Sequence, residues 1–134
     1  MSRFKKVYYP VIFHPEEVGF STIVPDIEGC FSQGDDMAEA VSMTQDAIGL
    51  MLEDVIDGNN ELPHPTAPNM ITVEPGDFLV ILEFDELSYR KRNQSQSVKK
   101  TLSIPMWLNH AAEAQGVNFS NILQKALKQE LNIR

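Results

Sequence analysis

The first third of the chain alternates between short runs of β-forming residues and turn residues. Residues 7–13 and 19–24 are rich in valine, isoleucine and aromatic side chains, and His14-Pro15 separates them. A third short run, residues 29–34, lies between two glycines. The pattern predicts three strands, of which the first two form a hairpin.

A long amphipathic helix is predicted next. Asp36 is a favourable N-cap residue, and Glu39 follows three positions later, close to the spacing of a capping box. Apolar residues recur at helical spacing from Ala40 to Val55. Gly58 stands where a C′ glycine would end the helix.

The segment after the helix predicts a loop and then more strand. Residues 59–69 are rich in proline, and residues 70–84 form two β-like runs around a Pro-Gly-Asp turn at 75–77. The second run, 78–84, is almost continuously apolar, so we expect both of its faces to be covered. The order β-β-β-α-β predicts an α+β domain with its helix packed on a mainly antiparallel sheet.

A polar segment then interrupts the hydrophobic pattern. Residues 86–97 contain Leu87 and Tyr89 as their only large apolar side chains, which indicates a mobile linker. The chain is therefore predicted to consist of a domain over residues 1–85 and a module over residues 98–134.

The last module reads as one strand and two helices. Residues 98–104 alternate between polar and apolar, and Pro105 opens a helix that runs to about Gln115. Gly116 provides a turn, and Asn118 caps the second helix. A lone strand cannot satisfy its own backbone, and fewer than 40 residues are too few to close a core. We therefore expect a homodimer in which two such strands pair; whether dimers form tetramers is left open.

Charge divides the chain in the same place. Residues 1–87 hold 3 basic and 17 acidic side chains, a net charge of −14, and residues 88–134 hold 8 and 2, a net charge of +6. The two values sum to −8. A random distribution is the alternative, but the sign changes at the composition boundary, which favours two partners of opposite charge.

Composition excludes several classes of protein. With 43% hydrophobic and 22% charged residues the chain is typical of a soluble globular protein. The single cysteine, Cys30, excludes an internal disulfide framework and makes a cysteine zinc site improbable. The sequence contains neither a membrane-spanning apolar run nor a signal-peptide core, so a cytoplasmic protein without a cofactor is expected.

Four carboxylates near the predicted strand ends raise the question of a metal-dependent nuclease. They are Asp26, Glu28, Asp35 and Asp36, and Asp36 is already explained as a helix cap. The first strand, residues 8–13, carries no carboxylate where such an enzyme would need one. We therefore expect no catalytic residues, no metal site and no enzyme activity.

An acidic stripe follows the long helix. Glu39, Asp46 and Glu53 recur every seven residues and so lie on one helix face, with Asp54 beside them. Such a stripe is either the solvated side of the helix or a docking face for a cationic partner. The surface of the first two strands is a second candidate for docking, and the sequence leaves both open.

The module resembles the ribbon-helix-helix DNA-binding module over residues 98–133. The matching features are the alternating strand, the Ile104-Pro105 exit, the Gly116 turn and the Asn118 helix start. The resemblance implies that one face of the paired strands reads base edges in the major groove. A dimerisation clip that binds no DNA is the alternative, and a slip of one residue would exchange the strand faces. The implied base-reading residues are Lys99, Thr101 and Ser103, and the implied phosphate contacts are Lys100, Asn118, Phe119 and Ser120.

The front domain resembles the HicB antitoxin family over residues 7–85. The matching motifs are Tyr9-Pro10, Gly19-Phe20, "PDIEGCFSQGD" at 25–35 and "ELPHPT" at 61–66. The resemblance implies a truncated RNase H-like fold that binds and neutralises HicA, a small basic RNA-cleaving toxin. The tail would then bind operator DNA and repress the toxin–antitoxin operon.

The acidic residues are the first candidates for toxin binding, because a basic toxin would favour them. A different function shares the same tail: a stand-alone ribbon-helix-helix transcription regulator whose front domain senses a ligand or a protein. The candidate toxin-binding residues are Asp26, Glu28, Glu39, Asp46, Glu53 and Asp54.

Overall fold

Four strands of the chain form one antiparallel sheet in the order β3-β2-β1-β4. The computed structural model describes residues 4–134, which divide into a front unit that ends at Gln96 and a tail unit, Ser97–Arg134. The α+β class predicted from the sequence is confirmed. In chain order the elements are β1 Lys6–Pro15, β2 Phe20–Ile23, β3 Phe31–Gly34, α1 Met37–Asp57, β4 Phe78–Asp85, α2 Glu86–Asn93, α3 Met106–Ala114 and α4 Phe119–Glu130.

The core lies between the sheet and α1. Successive residues of a strand point to opposite faces, and in β1 the side chains of Tyr9, Val11 and Phe13 are fully buried. From α1, Ile48 and Leu52 join the same cluster. This face of the sheet, which α1 covers, is called the inner face below.

Close contacts fix the helix on the sheet. The hydroxyl groups of Thr22 on β2 and Thr44 on α1 are hydrogen-bonded at 2.7 Å in the core, and Thr44 also donates to the carbonyl of Ala40 at 2.6 Å. A Cβ on Gly34 would lie 2.2 Å from the backbone nitrogen of Ala40, so only glycine allows this approach. The hydrogen bonds of Thr22 and Thr44 satisfy their buried hydroxyl groups.

The predicted start of α1 is confirmed, and its end differs from the prediction. The Asp36 carboxylate accepts a hydrogen bond from the Glu39 backbone nitrogen at 2.8 Å, and Glu39 accepts one from the Asp35 nitrogen at 3.0 Å. At the other end Gly58 has a φ of −79°, and Asn59 adopts the left-handed conformation with a φ of 55°. Asparagine tolerates this conformation because its short polar side chain can hydrogen-bond locally.

The strand predicted over residues 70–74 is wrong. Within the described chain no strand pairs with this segment, which follows a single 3₁₀ turn at Pro68–Met70. Only β4 follows the Pro-Gly turn, and it pairs with β1 along its whole length from Phe78 to Asp85. The expectation that both faces of β4 are covered is also wrong, because Ile81 is 46% exposed.

The mobile linker predicted over residues 86–97 is largely a helix. Residues Glu86–Asn93 form α2, and the Asp85 carboxylate accepts from the Ser88 nitrogen at 3.2 Å as its cap. Tyr89 is only 5% exposed, because it packs into the front unit. A buried aromatic side chain and a capped helix start were overlooked in a segment whose composition is polar.

The tail unit has the two helices predicted for it. Gly116 has a φ of 66° in the turn, and the Asn118 side chain accepts from the Asn121 nitrogen at 3.0 Å. Within the described single chain, residues 98–104 form no strand and neither α3 nor α4 has a buried residue. Of the helices in residues 4–134, none is long and apolar enough to cross a membrane.

Candidate docking and DNA-binding surfaces

Two residues of the acidic stripe on α1 contact α2 and the residue that follows it. The Asp46 carboxylate accepts from the Arg92 guanidinium at 2.8 Å and from the Asn93 amide at 3.3 Å. The Glu53 carboxylate accepts from the Gln94 amide at 2.8 Å. Asp46 and Glu53 are therefore engaged by side chains of the same chain, whereas Asp54 is exposed.

A buried carboxylate anchors the start of α2. Glu86 is buried; it accepts from the Lys5 backbone nitrogen at 2.9 Å and from the Arg90 guanidinium at 2.7 Å. Arg90 also donates to Asp57 at 2.8 Å. The hydrogen bond to Glu86 is the main reason that the pKa of Arg90 is raised. A buried charge needs such partners, because desolvation would otherwise destabilise it.

The apolar contact of α2 is the ring of Tyr89, which lies directly on α1. A Cβ on Gly49 would lie 2.2 Å from this ring, so glycine permits the contact. Burial, followed by the charge of Glu53 and a hydrogen bond to it, raises the pKa of Tyr89. The phenol therefore remains protonated at neutral pH.

The Asp26 carboxylate holds a loop. It accepts from the backbone nitrogen of Thr66 at 2.9 Å and from the Thr66 hydroxyl. The Tyr9 hydroxyl donates to the Pro63 carbonyl of the same loop at 2.8 Å. Burial, with a smaller contribution from Asp26, raises the pKa of Tyr9 to about 12.

The remaining candidates for toxin binding do not form a cluster. Glu28 and Asp54 are exposed, and Glu39 serves the cap of α1. The six predicted acidic residues therefore have different roles. One holds a loop, one belongs to the cap of α1, two contact α2 or the residue after it, and two are exposed. Similarly, Asp35 and Asp36 lie at the α1 cap, and among residues 4–134 no three histidine, cysteine, aspartate or glutamate side chains converge on a metal position.

The outer face of the sheet carries an apolar surface that the sequence pattern did not predict. Phe31, Ile23, Ile12 and Leu79 are direct cross-strand partners, so they form one row over all four strands. Phe31 is 68% exposed and Ile23 is 55% exposed. The signal was present in β1, where Ile12 lies between Val11 and Phe13 and gives both faces apolar residues. We call this set the outer patch: Tyr8, Ile12, Ile23, Phe31, Leu79 and Ile81.

Acidic groups lie at both ends of the outer patch. Beyond Ile81 on β4, Glu83 accepts from the Tyr8 hydroxyl at 2.6 Å and Asp85 lies 3.6 Å from the Lys6 amine. At the other end Asp77 is hydrogen-bonded to His14 at 2.5 Å. This hydrogen bond is the main cause that raises the pKa of His14.

The tail unit presents the predicted DNA-contacting residues at its surface. Lys99, Lys100, Thr101 and Ser103 are all exposed, on a segment that is unpaired in the single chain. Phe119 and Ser120 open α4, where backbone nitrogens and the helix dipole favour an anion. The Asn118 side chain is engaged as the cap, which leaves its backbone for any phosphate contact.

The structural boundary changes the charge of each unit. Residues 88–96 hold three basic side chains and no acidic one, so residues 1–96 carry −14 + 3 = −11 and residues 97–134 carry +6 − 3 = +3. The two still sum to −8. The signs predicted for the two parts persist, and part of the basic charge belongs to α2.

Comparison with known proteins agrees with this architecture, an α+β unit with one long helix on an antiparallel sheet, followed by a two-helix unit. A family model described as the HicB-like antitoxin of bacterial toxin–antitoxin systems matches residues 9–127. The chain belongs to the HicB-like antitoxin family. This confirms the family resemblance identified from the sequence.

Individual proteins are also similar to this chain. A 14.9 kDa protein from the rep-hol intergenic region of Haemophilus phage HP1 is 28% identical over 125 residues, which cover 87% of this chain and 92% of that protein. Antitoxin HicB 2 of Photorhabdus laumondii is 33% identical over 70 residues, which cover 52% of this chain and 50% of the antitoxin. This chain thus matches only half of that antitoxin's length.

Two solved structures share the fold. A toxin–antitoxin complex from Streptococcus pneumoniae has a chain that aligns with a TM-score of 0.59 at 24% identity, covering 94% of this chain and 99% of that one. The Burkholderia pseudomallei antitoxin HicB aligns with a TM-score of 0.53 at 20% identity, covering 93% and 98%.

Proposed function

We propose that this protein is a non-enzymatic antitoxin that neutralises a HicA-type, mRNA-cleaving toxin through its front unit and represses its own operon through its tail unit. The observation that carries the proposal is the segregation of charge between two structural units, −11 and +3, in a chain of the antitoxin family. An acidic unit suits a basic ribonuclease, and a basic unit suits DNA.

The tail unit is incomplete as a single copy. Val98 is 85% exposed, and Leu102 and Ile104 are exposed beside it. Residues 98–104 have no strand to pair with in residues 4–134. We infer that a second copy supplies the partner strand, that the two tails form a ribbon-helix-helix dimer, and that the apolar sides of α3 and α4 close its core.

In such a dimer one strand face reads DNA. With Leu102 and Ile104 turned to the core, the alternation of a strand places Lys99, Thr101 and Ser103 on the other face. Lysine suits guanine acceptors, and the hydroxyl groups suit either donors or acceptors of a base. Lys100 and the backbone at Asn118, Phe119 and Ser120 would contact phosphates and fix the register.

The front unit is proposed to have a truncated RNase H-like architecture without the nuclease activity. The contacts of its carboxylates support this proposal. Asp26 holds Thr66, and Asp36 caps α1. A nuclease of this kind would need those groups to converge on divalent ions.

The test is inhibition of RNA cleavage by the full chain. The product of the reading frame next to this gene, predicted to be a small basic protein, is purified and incubated with RNA. We expect stoichiometric addition of the full chain to stop cleavage, because the acidic unit covers the basic toxin. Bovine serum albumin, another acidic protein, is the control for non-specific charge effects. Cleavage that continues unchanged with the chain in excess contradicts the proposal.

A further inference from the structure

We infer that the outer patch is the surface on which the front unit receives its basic protein partner; this inference rests on the proposed function. Two surfaces were candidates for docking, the acidic stripe of α1 and the surface of the strands. Two residues of the stripe, Asp46 and Glu53, already bind Arg92 and Gln94 of the same chain. The sheet surface is the candidate that remains open.

The outer patch has the apolar centre that a protein interface needs. Its row of Phe31, Ile23, Ile12 and Leu79 crosses four strands, a width of roughly 15 Å at about 4.8 Å per strand. From Tyr8 to Ile12 it extends about 13 Å along β1. The patch is L-shaped, because β2 and β3 end at this row and only β1 and β4 continue to Tyr8 and Ile81; it is the apolar centre of an interface and not its whole area.

The surroundings of the patch specify the charge of the partner. Glu83, Asp85 and Asp77 border it on the β4 side, and Glu16, which accepts from Ser21 at 2.8 Å, lies in the turn between β1 and β2. Lys6, at the start of β1, is the basic residue at this border, and it lies beside Asp85. A rim of this sign fits a partner with an apolar centre and basic surroundings.

The charge also argues against a second copy of this chain as the occupant. Two outer patches facing each other would bring two acidic rims together, and residues 1–96 of each copy carry −11. Like charges across an interface oppose association. A basic partner gains from the same rim, and its association should slow as salt is raised.

The experiment compares lysine substitutions of equal exposure at two places on the full chain. Phe31→Lys and Ile23→Lys change the outer patch, and Leu50→Lys changes α1 at a residue that is 68% exposed, the same value as Phe31. The probe is the purified basic product of the adjacent reading frame, with affinity measured by titration calorimetry. We expect Kd to rise about 30-fold or more for the patch variants, as for interface hot spots, and to stay within about threefold for Leu50→Lys.

Folding is controlled by circular dichroism and by operator binding of each variant. Where lysine unfolds the front unit, Phe31→Ser and Ile23→Thr replace it, because threonine keeps a strand preference; a Kd increase of about tenfold is then expected for the pair. Patch variants that bind the probe as tightly as Leu50→Lys overturn the inference. So does a change in self-association with an unchanged Kd, which would assign the patch to a second copy. Failure of the unmodified chain to bind the probe instead refutes the proposed function.

Discussion

At the scale of single residues, the contact between Tyr89 and Gly49 lets α2, the last helix of the front unit, lie directly against α1. A Cβ on Gly49 would lie 2.2 Å from the tyrosine ring. From sequence alone this glycine looks like a defect in a long helix, since glycine disfavours helix by about 1 kcal/mol relative to alanine. The structure shows its use, because no larger residue leaves room for the ring.

This contact predicts a reversal of the ordinary helix preference. Gly49→Ala should destabilise the protein by about 1–3 kcal/mol, because overcrowding outweighs the helix preference for alanine. The free energy of unfolding from urea denaturation measures the effect. The matched control is the same substitution in a Tyr89→Ala background, where the methyl group has space and should stabilise by roughly 0.5–1 kcal/mol. Destabilisation of equal size in both backgrounds would show that the ring is not the cause.

At the scale of elements, α2 shows which interactions hold a polar helix. It has ion pairs from Arg90 and Arg92 to α1, and one buried aromatic ring from Tyr89. Exposed ion pairs contribute about 0–1 kcal/mol each, whereas truncating a buried aromatic side chain costs about 3–5 kcal/mol. Tyr89 should therefore dominate the docking of α2, and the ion pairs should mainly set its orientation.

The prediction for α2 compares two single substitutions. Tyr89→Ala should release the helix, so that its amides exchange hydrogen much faster while the amides of β1 stay protected. Arg92→Ala should lower stability by less than about 1 kcal/mol and leave exchange in α2 nearly unchanged. Hydrogen exchange read by mass spectrometry on peptides covering residues 86–93 distinguishes the two. Equal loosening by both variants would contradict the dominance of the ring.

At the scale of the whole molecule, two units of opposite charge imply two binding events. The tail unit has its apolar side chains exposed, while the front unit has a closed core and an apolar outer patch. The two units therefore differ in the apolar surface that each leaves exposed. The first suits the identical partner proposed for the tail, and the second suits the partner of opposite charge proposed for the front unit.

For the tail, the double substitution Lys99→Ala with Thr101→Ala should abolish discrimination between operator and unrelated DNA, because both residues lie on the proposed reading face. The dimer should persist, since Leu102 and Ile104 are untouched. Footprinting and sedimentation measure the two properties. Lys100→Ala is the matched control; it should weaken binding to all sequences alike and reduce the salt dependence by about one ion. An unchanged footprint in the double variant would place the reading face on the other side of the strand.

Much of the fold follows from local chemistry in the sequence. Runs of β-forming residues between turn residues predicted β1 to β3, the Asp36 cap marked the start of α1, and Gly116 with Asn118 marked the helices of the tail. These signals are strong because turns and caps depend on neighbours within a few residues. The motifs behind the family resemblance likewise lie in short stretches of the chain, and the family itself is confirmed.

Tertiary structure decided what each surface residue contacts. The sequence shows Asp46, Glu53 and Arg92 as charges, but only the fold brings Arg92 and Gln94 to these two carboxylates of α1. Likewise, the row from Phe31 to Leu79 exists only through the register of four strands. The physical reason is that periodicity reports which side of an element is apolar, whereas register and long-range packing determine which side chains become neighbours.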